Sequence, residues 1–232
     1  MNIEVITSIP RSLLFCLRTL PFIQAIHIPI IIGSKVSFKG KLYRGLIEIK
    51  SKQLKAGMIK LGIGGGSFNI SGNASSFFQM SEKARLIFDG RCEFRKGFRM
   101  MINKNGIIEF GNHSTFNSNA LISSNTFIKF GDYFCGGWNV TVIDWDGHDI
   151  KDCNTNEPIN SPKPIIFGKG CWLSAYSTVM KGVHLADETI VPYGTILTKS
   201  CNQVCCIFGG SPNRILKENV YRSDRTKSRL ML

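Results

Sequence analysis

Between Ile166 and Lys199, large apolar residues recur at a strict spacing of six: Phe167, Leu173, Val179, Leu185, Val191 and Leu197. Four residues after each of the first five sits a small or β-branched side chain: Cys171, Ser177, Val183, Thr189 and Thr195. A helix cannot hold this pattern on one face, because a step of six turns the side chain by about 600°. A simple strand alternates with period two and does not need Gly170, Gly182 and Gly194 at intervals. A solenoid satisfies all three features. Each six-residue unit supplies one short flat face, its large residue points inward, and the small residue fits the corner. The spacing therefore predicts a mainly β chain.

The same period runs upstream. Phe110, Phe116, Ile122 and Ile128 step by six, and Phe130, Gly136 and Val142 continue in a register shifted by two, with a weaker echo at Phe88, Phe94 and Met100. The shift predicts a two-residue bulge or a longer corner between Ile128 and Phe130. The ladder breaks once, between Ile143 and Ile165, where a polar stretch rich in Asp, Asn, Gly and Pro intervenes. Such an insertion leaves a solenoid as a loop, and such loops line binding faces. The predicted organisation is a cap over 1–59, helical and then extended, a repeat domain over 60–200 with a functional loop at 144–165, and a turn and basic helix within 201–232. The helix is expected over 213–224. Gly62 to Ser67 lacks the lysine and the strand–turn–helix setting of a phosphate-binding loop, and reads as an irregular early coil.

Charge narrows the partners. The net charge is +13, which favours an anionic partner. No nucleic-acid-binding motif is present, so nucleic acid is not expected. Eight cysteines form no spaced framework and no CxxC pair. Reduced thiols in a cytoplasmic protein account for them, and no metal site is expected. No apolar run approaches the roughly 20 residues that span a bilayer. An amphipathic helix near residues 10–20 is expected to pack on the domain's own core, with peripheral contact at the inner face of a membrane as the alternative.

Three motifs resemble those of the hexapeptide-repeat acyltransferases, the maltose, galactoside and chloramphenicol acetyltransferase type. Ile143 to Ile150 (IDWDGHDI) is similar to the family's motif ending in Asp-Gly-His. Gly170-Cys171-Trp172-Leu173 with Lys181-Gly182-Val183 looks like its Val-Trp-Ile-Gly and Pro-Gly-Val coil. Gly209 to Arg214 (GGSPNR) is similar to its terminal Gly-Asn-Pro-Ala-Lys/Arg turn. The resemblance covers about residues 60–220. It implies a left-handed parallel β-helix of hexapeptide repeats with a helical N-terminal cap and a short C-terminal helix, a homotrimer, and acetyl-CoA as co-substrate. The basic N-terminal arm resembles members from surface-polysaccharide gene clusters, so the implied activity is O-acetylation of a sugar hydroxyl of a surface polysaccharide or its precursor.

Acetyl transfer from a thioester to a hydroxyl needs a base, and histidine titrates near working pH. Of four histidines, His27 lies in the apolar cap, His113 at a corner and His184 at an outward repeat position. His148 sits in the polar insertion beside a glycine and matches the family motif, which makes it the candidate base. No GxSxG nucleophile motif occurs, so direct attack is favoured over an acyl-enzyme. Asp144 and Asp146 are candidates to orient the base or bind acceptor, although Asp146-Gly147 also fits plain turn chemistry. By resemblance, Asn117 lies near the acceptor, Trp172 walls the coenzyme A groove, Ala175 and Tyr193 line its pantetheine arm, and Thr198, Lys199 and Arg214 meet its phosphate end. Tyr193 departs from the small residue usual there. An amino sugar, serine or an antibiotic are alternative acceptors. A three-histidine metal enzyme and a non-catalytic scaffold on the same fold are the readings of other classes.

Overall fold

The computed structural model describes residues 3–66, 70 and 73–223. Among them, the strands form three sheets, here called A, B and C, of nine, seven and six strands. Up to Ile196–Leu197, successive strands fall on A, B and C in rotation; the last two strands both lie on A, and all neighbours along a sheet are parallel except that final pair. The chain is a three-sided β-helix. Where the repeat is regular, a full turn takes eighteen residues: Leu173 lies beside Val191 and Phe167 beside Leu185. The six-residue ladder is thus one inward residue per face.

The corners explain the glycines. Gly170, Tyr176, Gly182, Glu188 and Gly194 all have positive φ, between 59° and 79°. Every corner of this stretch passes through the left-handed region, where glycine is unstrained and other residues are held at a cost of about 1–2 kcal/mol. Asn119 and Asn139, which tolerate that region, serve the same purpose higher up.

The core is a set of stacked columns. Phe88, Phe110, Phe130 and Phe167 stack at centroid spacings of 5.4, 5.0 and 5.0 Å, and Phe94 stacks on Phe116 at 4.2 Å. All six rings are buried. Parallel in-register strands place identical rings one above another, and the hydrophobic and aromatic contacts reinforce each other along the column.

Three expectations need correction. Ile128 and Phe130 lie in one strand, Phe127–Phe130, both inward and paired with Ile108 and Phe110. No bulge separates them. The extra length sits in the corner between sheets B and C, which takes ten residues from Met100 to Phe110, eight from Ile122 to Phe130, twenty-five from Val142 to Phe167, and six from Val179 to Leu185. The A and B faces keep their spacing of six throughout this span. Second, the coils begin at Ile30–Ile32 rather than near residue 60. Long corners after Lys39 and Ile49 break the period there and hide the first coils in the sequence.

Third, among the described residues of 213–224, which end at 223, the expected C-terminal helix does not form. Arg214–Glu218 is a strand, antiparallel to Cys206–Gly209. Cys206–Gly209 is the last parallel strand of sheet A, and its free edge is completed by the hairpin. Asn213 fixes the turn by donating to the carbonyls of Gly210 and Ile196, both at 2.8 Å. Ser67 of the glycine-rich segment and the basic residues Arg225, Lys227 and Arg229 lie outside the described residues.

The other end is closed by helices α1 (Ile3–Thr7), α2 (Ile9–Thr19) and α3 (Phe22–Ala25). Amphipathic α2 buries Ser12, Phe15, Cys16 and Thr19 against the first coil. Ser12 Oγ accepts the Ile32 N–H at 2.9 Å, and Arg11 donates to the Ser34 carbonyl at 2.6 Å. These bonds fix the cap across the end of the solenoid.

Candidate active site

The insertion leaves the stack at the corner between sheets B and C, and its two ends meet where Lys163 N–H donates to the Asp144 carbonyl at 3.0 Å. The root of the loop is anchored by Asp144. Its side chain is fully buried. Its carboxylate accepts from Ser124 Oγ at 3.0 Å, Asn125 N–H at 2.6 Å, Thr126 N–H at 2.9 Å and Thr126 Oγ1 at 3.0 Å. Asp144 therefore holds the preceding coil's corner. Beside it, Trp145 Nε1 donates to Ser123 Oγ at 2.9 Å, which lays the indole along the loop base.

The loop is zipped from within by Asn160. Its Nδ2 donates to Asp146 Oδ2 and to the His148 carbonyl, each at 2.8 Å, and its Oδ1 accepts the Ile150 N–H at 2.7 Å. Lys181, on the next coil, pairs with Asp146 and donates to the Asn160 carbonyl at 2.7 Å. The Lys181 ammonium and then the Asn160 amide hold the Asp146 carboxyl below its ordinary value. At the far end, Asp152 accepts the N–H groups of Thr155 and Asn154, which lower its carboxyl in the same way. The result is a hairpin-like loop, cross-linked by these bonds, that presents the exposed His148 in an open cleft of about 290 Å³, with Trp145, Asp149, Asn125 and Pro162 also lining it.

The remaining candidates fall on two edges. Lys181, Thr198 and Lys199 follow strands of sheet B and lie with the His148 loop along the B–C edge. Thr198 N–H donates to Asn213 Oδ1 at 2.9 Å, which joins this edge to the terminal hairpin. Arg214 opens the hairpin's return strand and lies against Gly210, where a Cβ would come within 3.2 Å of its Nη1. Trp172 faces outward from sheet A in the strand Trp172–Leu173. Ala175, Tyr193 and Asn117 lie toward the A–B edge. Ala175 is buried beneath Gly137, and the exposed Tyr193 packs against Tyr176 at 5.3 Å. Asn117 lines a separate cleft of about 530 Å³ with Glu93, Arg95, Thr115 and Cys135. Glu93 is drawn upward by burial, but the Arg91 and Lys60 hydrogen bonds outweigh this and its carboxyl stays below the ordinary range.

Within one chain, then, the candidates form two groups. The cleft of His148 shares no lining residue with that of Asn117. Asp146 reaches the His148 backbone only through Asn160, and Asp144 points back into the corner. The sequence reading missed Asn160 and the role of Lys181. Asn160 belongs to no motif, and its only signal is its place inside the polar insertion.

The other histidines have plain surroundings. His113 stacks on Tyr133 at 5.2 Å, and His184 lies in the strand His184–Leu185. No disulfide joins any of the eight cysteines. Burial pushes Cys16 to about 11 and Cys171 to about 12, so neither is a thiolate nucleophile near neutral pH.

No family model matches the sequence. Solved structures do match the fold. One is the polysialic acid O-acetyltransferase OatWY, with 19% identity, a TM-score of 0.62, and coverage of 83% of this chain and 86% of that one. Another is the polySia-specific acetyltransferase NeuO, with 17% identity, a TM-score of 0.63, and coverage of 88% and 86%. The fold is the left-handed parallel β-helix that the family resemblance implied.

Proposed function

We propose that this chain is an acetyl-CoA-dependent O-acetyltransferase whose acceptor is a sugar hydroxyl of a surface polysaccharide or its precursor. The observation that carries the proposal is the presentation of His148 on a loop braced by Asn160 and the Asp146–Lys181 pair. The two structurally similar enzymes, named as acetyltransferases of polysialic acid, support the same reading of the acceptor.

Bound acetyl-CoA supplies an activated acyl carbonyl. Lys199 and Arg214 are proposed to meet its phosphates, a task that cations suit. Trp172, Ala175 and Tyr193 are proposed to line its arm. His148 takes the proton from the acceptor hydroxyl as that oxygen attacks the acyl carbonyl, the C–S bond then breaks and the coenzyme A thiolate leaves with the proton that His148 returns, and Asn117 orients the acceptor. The loop's backbone bonds restrain the imidazole's position, which is where orientation contributes to rate.

The two-edge distribution favours a homotrimer. If the B–C edge of one subunit packs beside the A–B edge of its neighbour, His148 and Asn117 converge between copies. Placement in the cytoplasm fits a supply of acetyl-CoA there.

The test is turnover of the purified chain with acetyl-CoA and a panel of carbohydrate acceptors, polysialic acid included, followed as thiol release. His148→Ala should lower kcat by roughly 10²- to 10⁴-fold with its oligomeric mass unchanged. Unchanged turnover removes His148 as the base. No thiol release with any carbohydrate removes the acceptor class.

A further inference from the structure

The N-terminal cap bears a surface that acyl transfer does not use. With Ser12, Phe15, Cys16 and Thr19 buried under α2, its opposite stripe of Arg11, Leu14 and Arg18 faces outward. α3 follows immediately and exposes Phe22 and Ile23, with Ile26 just beyond it. Tyr43 joins them, because Gly45 N–H donates to the Thr19 carbonyl at the end of α2. The exposures are 50% for Leu14, 58% for Phe22, 76% for Ile23, 52% for Ile26 and 42% for Tyr43. One exposed leucine is ordinary. Five large apolar side chains gathered on one end of a solenoid mark an interaction surface.

The charge around them selects the partner. Residues 3–58 contain nine Lys and Arg and two acids, Glu4 and Glu48. Both acids are spent on later coils: Glu4 pairs with Lys96 and Glu48 with Arg85, each at 2.8 Å. The rim formed by Arg18, Lys41 and Arg44 therefore faces solvent without an opposing carboxylate from the cap. Arg44 is seated there by donating to the Leu17 carbonyl at 3.5 Å. Apolar side chains that enter the acyl boundary, ringed by cations that meet phosphate headgroups, match an anionic bilayer surface. A second copy of the same cap would set cation against cation. No helix among the described residues is long and apolar enough to cross a membrane, so the contact is peripheral.

We infer that the α2–α3 cap docks this chain on an anionic lipid surface through Leu14, Phe22, Ile23, Ile26 and Tyr43, with Arg18, Lys41 and Arg44 at the headgroups. The inference does not depend on the acetyltransferase reading. The test is co-sedimentation of the full chain with vesicles of phosphatidylcholine alone or mixed with phosphatidylglycerol. Binding should be at least about tenfold stronger to the mixed vesicles and should weaken with salt. The double variants Phe22→Ser with Ile23→Ser, and Arg18→Glu with Arg44→Glu, should each lose about tenfold or more in binding. These positions are solvent-facing, so circular dichroism and thiol release with a soluble acceptor should be unchanged. Equal sedimentation with both vesicle types, or variants that bind as the parent does, overturns the inference. So does a fall in oligomeric mass in the Phe22→Ser, Ile23→Ser variant, which would assign the patch to contact between copies.

Discussion

Asp144 and His148 are four residues apart, yet one is buried and the other exposed. The sequence suggests a shared site, since both flank the same Asp-Gly turn. The chain leaves the solenoid between them, and the Asp144 carboxylate turns inward to take the four donors of the 124–126 corner. Removing it strands two backbone N–H groups at a buried corner. Asp144→Ala should therefore cost about 2–4 kcal/mol in chemical denaturation, with KM for acceptor in the folded protein nearly unchanged. A loss of kcat at full stability would instead put Asp144 with the acceptor. The place of His148 on an exposed loop was legible, because the segment around it is the one polar break in a strict repeat. Asn160 was not legible. Its importance comes from three bonds made across the loop, and no local spacing encodes them.

At the level of the loop, the pairing of Asp146 with Lys181 ties the insertion to the next coil. Its pH dependence follows from sign. The Asp146 carboxyl is held below its ordinary value in the folded chain, so the folded state binds the proton less readily than the unfolded one. The tie contributes fully above the usual aspartate range near pH 4 and is lost as pH falls through the lowered value. Hydrogen-exchange protection of the Ile150 and Ile159 amides should hold above that range and decline in stronger acid. Lys181→Met should remove that protection at neutral pH and leave the protection of the solenoid strands intact. Protection independent of pH and of Lys181 would show that Asn160 alone holds the loop. Among the regular elements, the strands from Phe110 to Leu197 were legible since period six survives on every A and B face. The first coils and the terminal hairpin were not. Long corners erase the period before Phe88, and Arg214–Glu218 pairs because an open sheet edge precedes it, a tertiary cause that overrides local composition.

For the whole molecule, the division of the candidate residues between two edges makes a quantitative prediction about assembly. Asn117→Ala and His148→Ala chains, each inactive or nearly so, should regain activity when co-refolded. In a trimer whose sites join neighbours, random mixing at equal amounts gives about a quarter of sites both functional groups. Recovery to near that fraction supports shared sites, and none at all means that each chain carries its own. The sequence could not show this division. Spacing reveals that a residue faces outward, but not which edge of the prism it occupies once corners differ in length.

The B–C corner absorbs six, eight, ten or twenty-five residues while the faces on either side keep their count. A solenoid of this design has a port, a place where chain can be added or removed without a register penalty elsewhere. Because lengthening a loop costs only about 0.6 kcal/mol per doubling, the His148 loop can be lengthened, shortened or redesigned while the phenylalanine columns keep their stacking. What the loop presents to solvent can then be changed independently of stability.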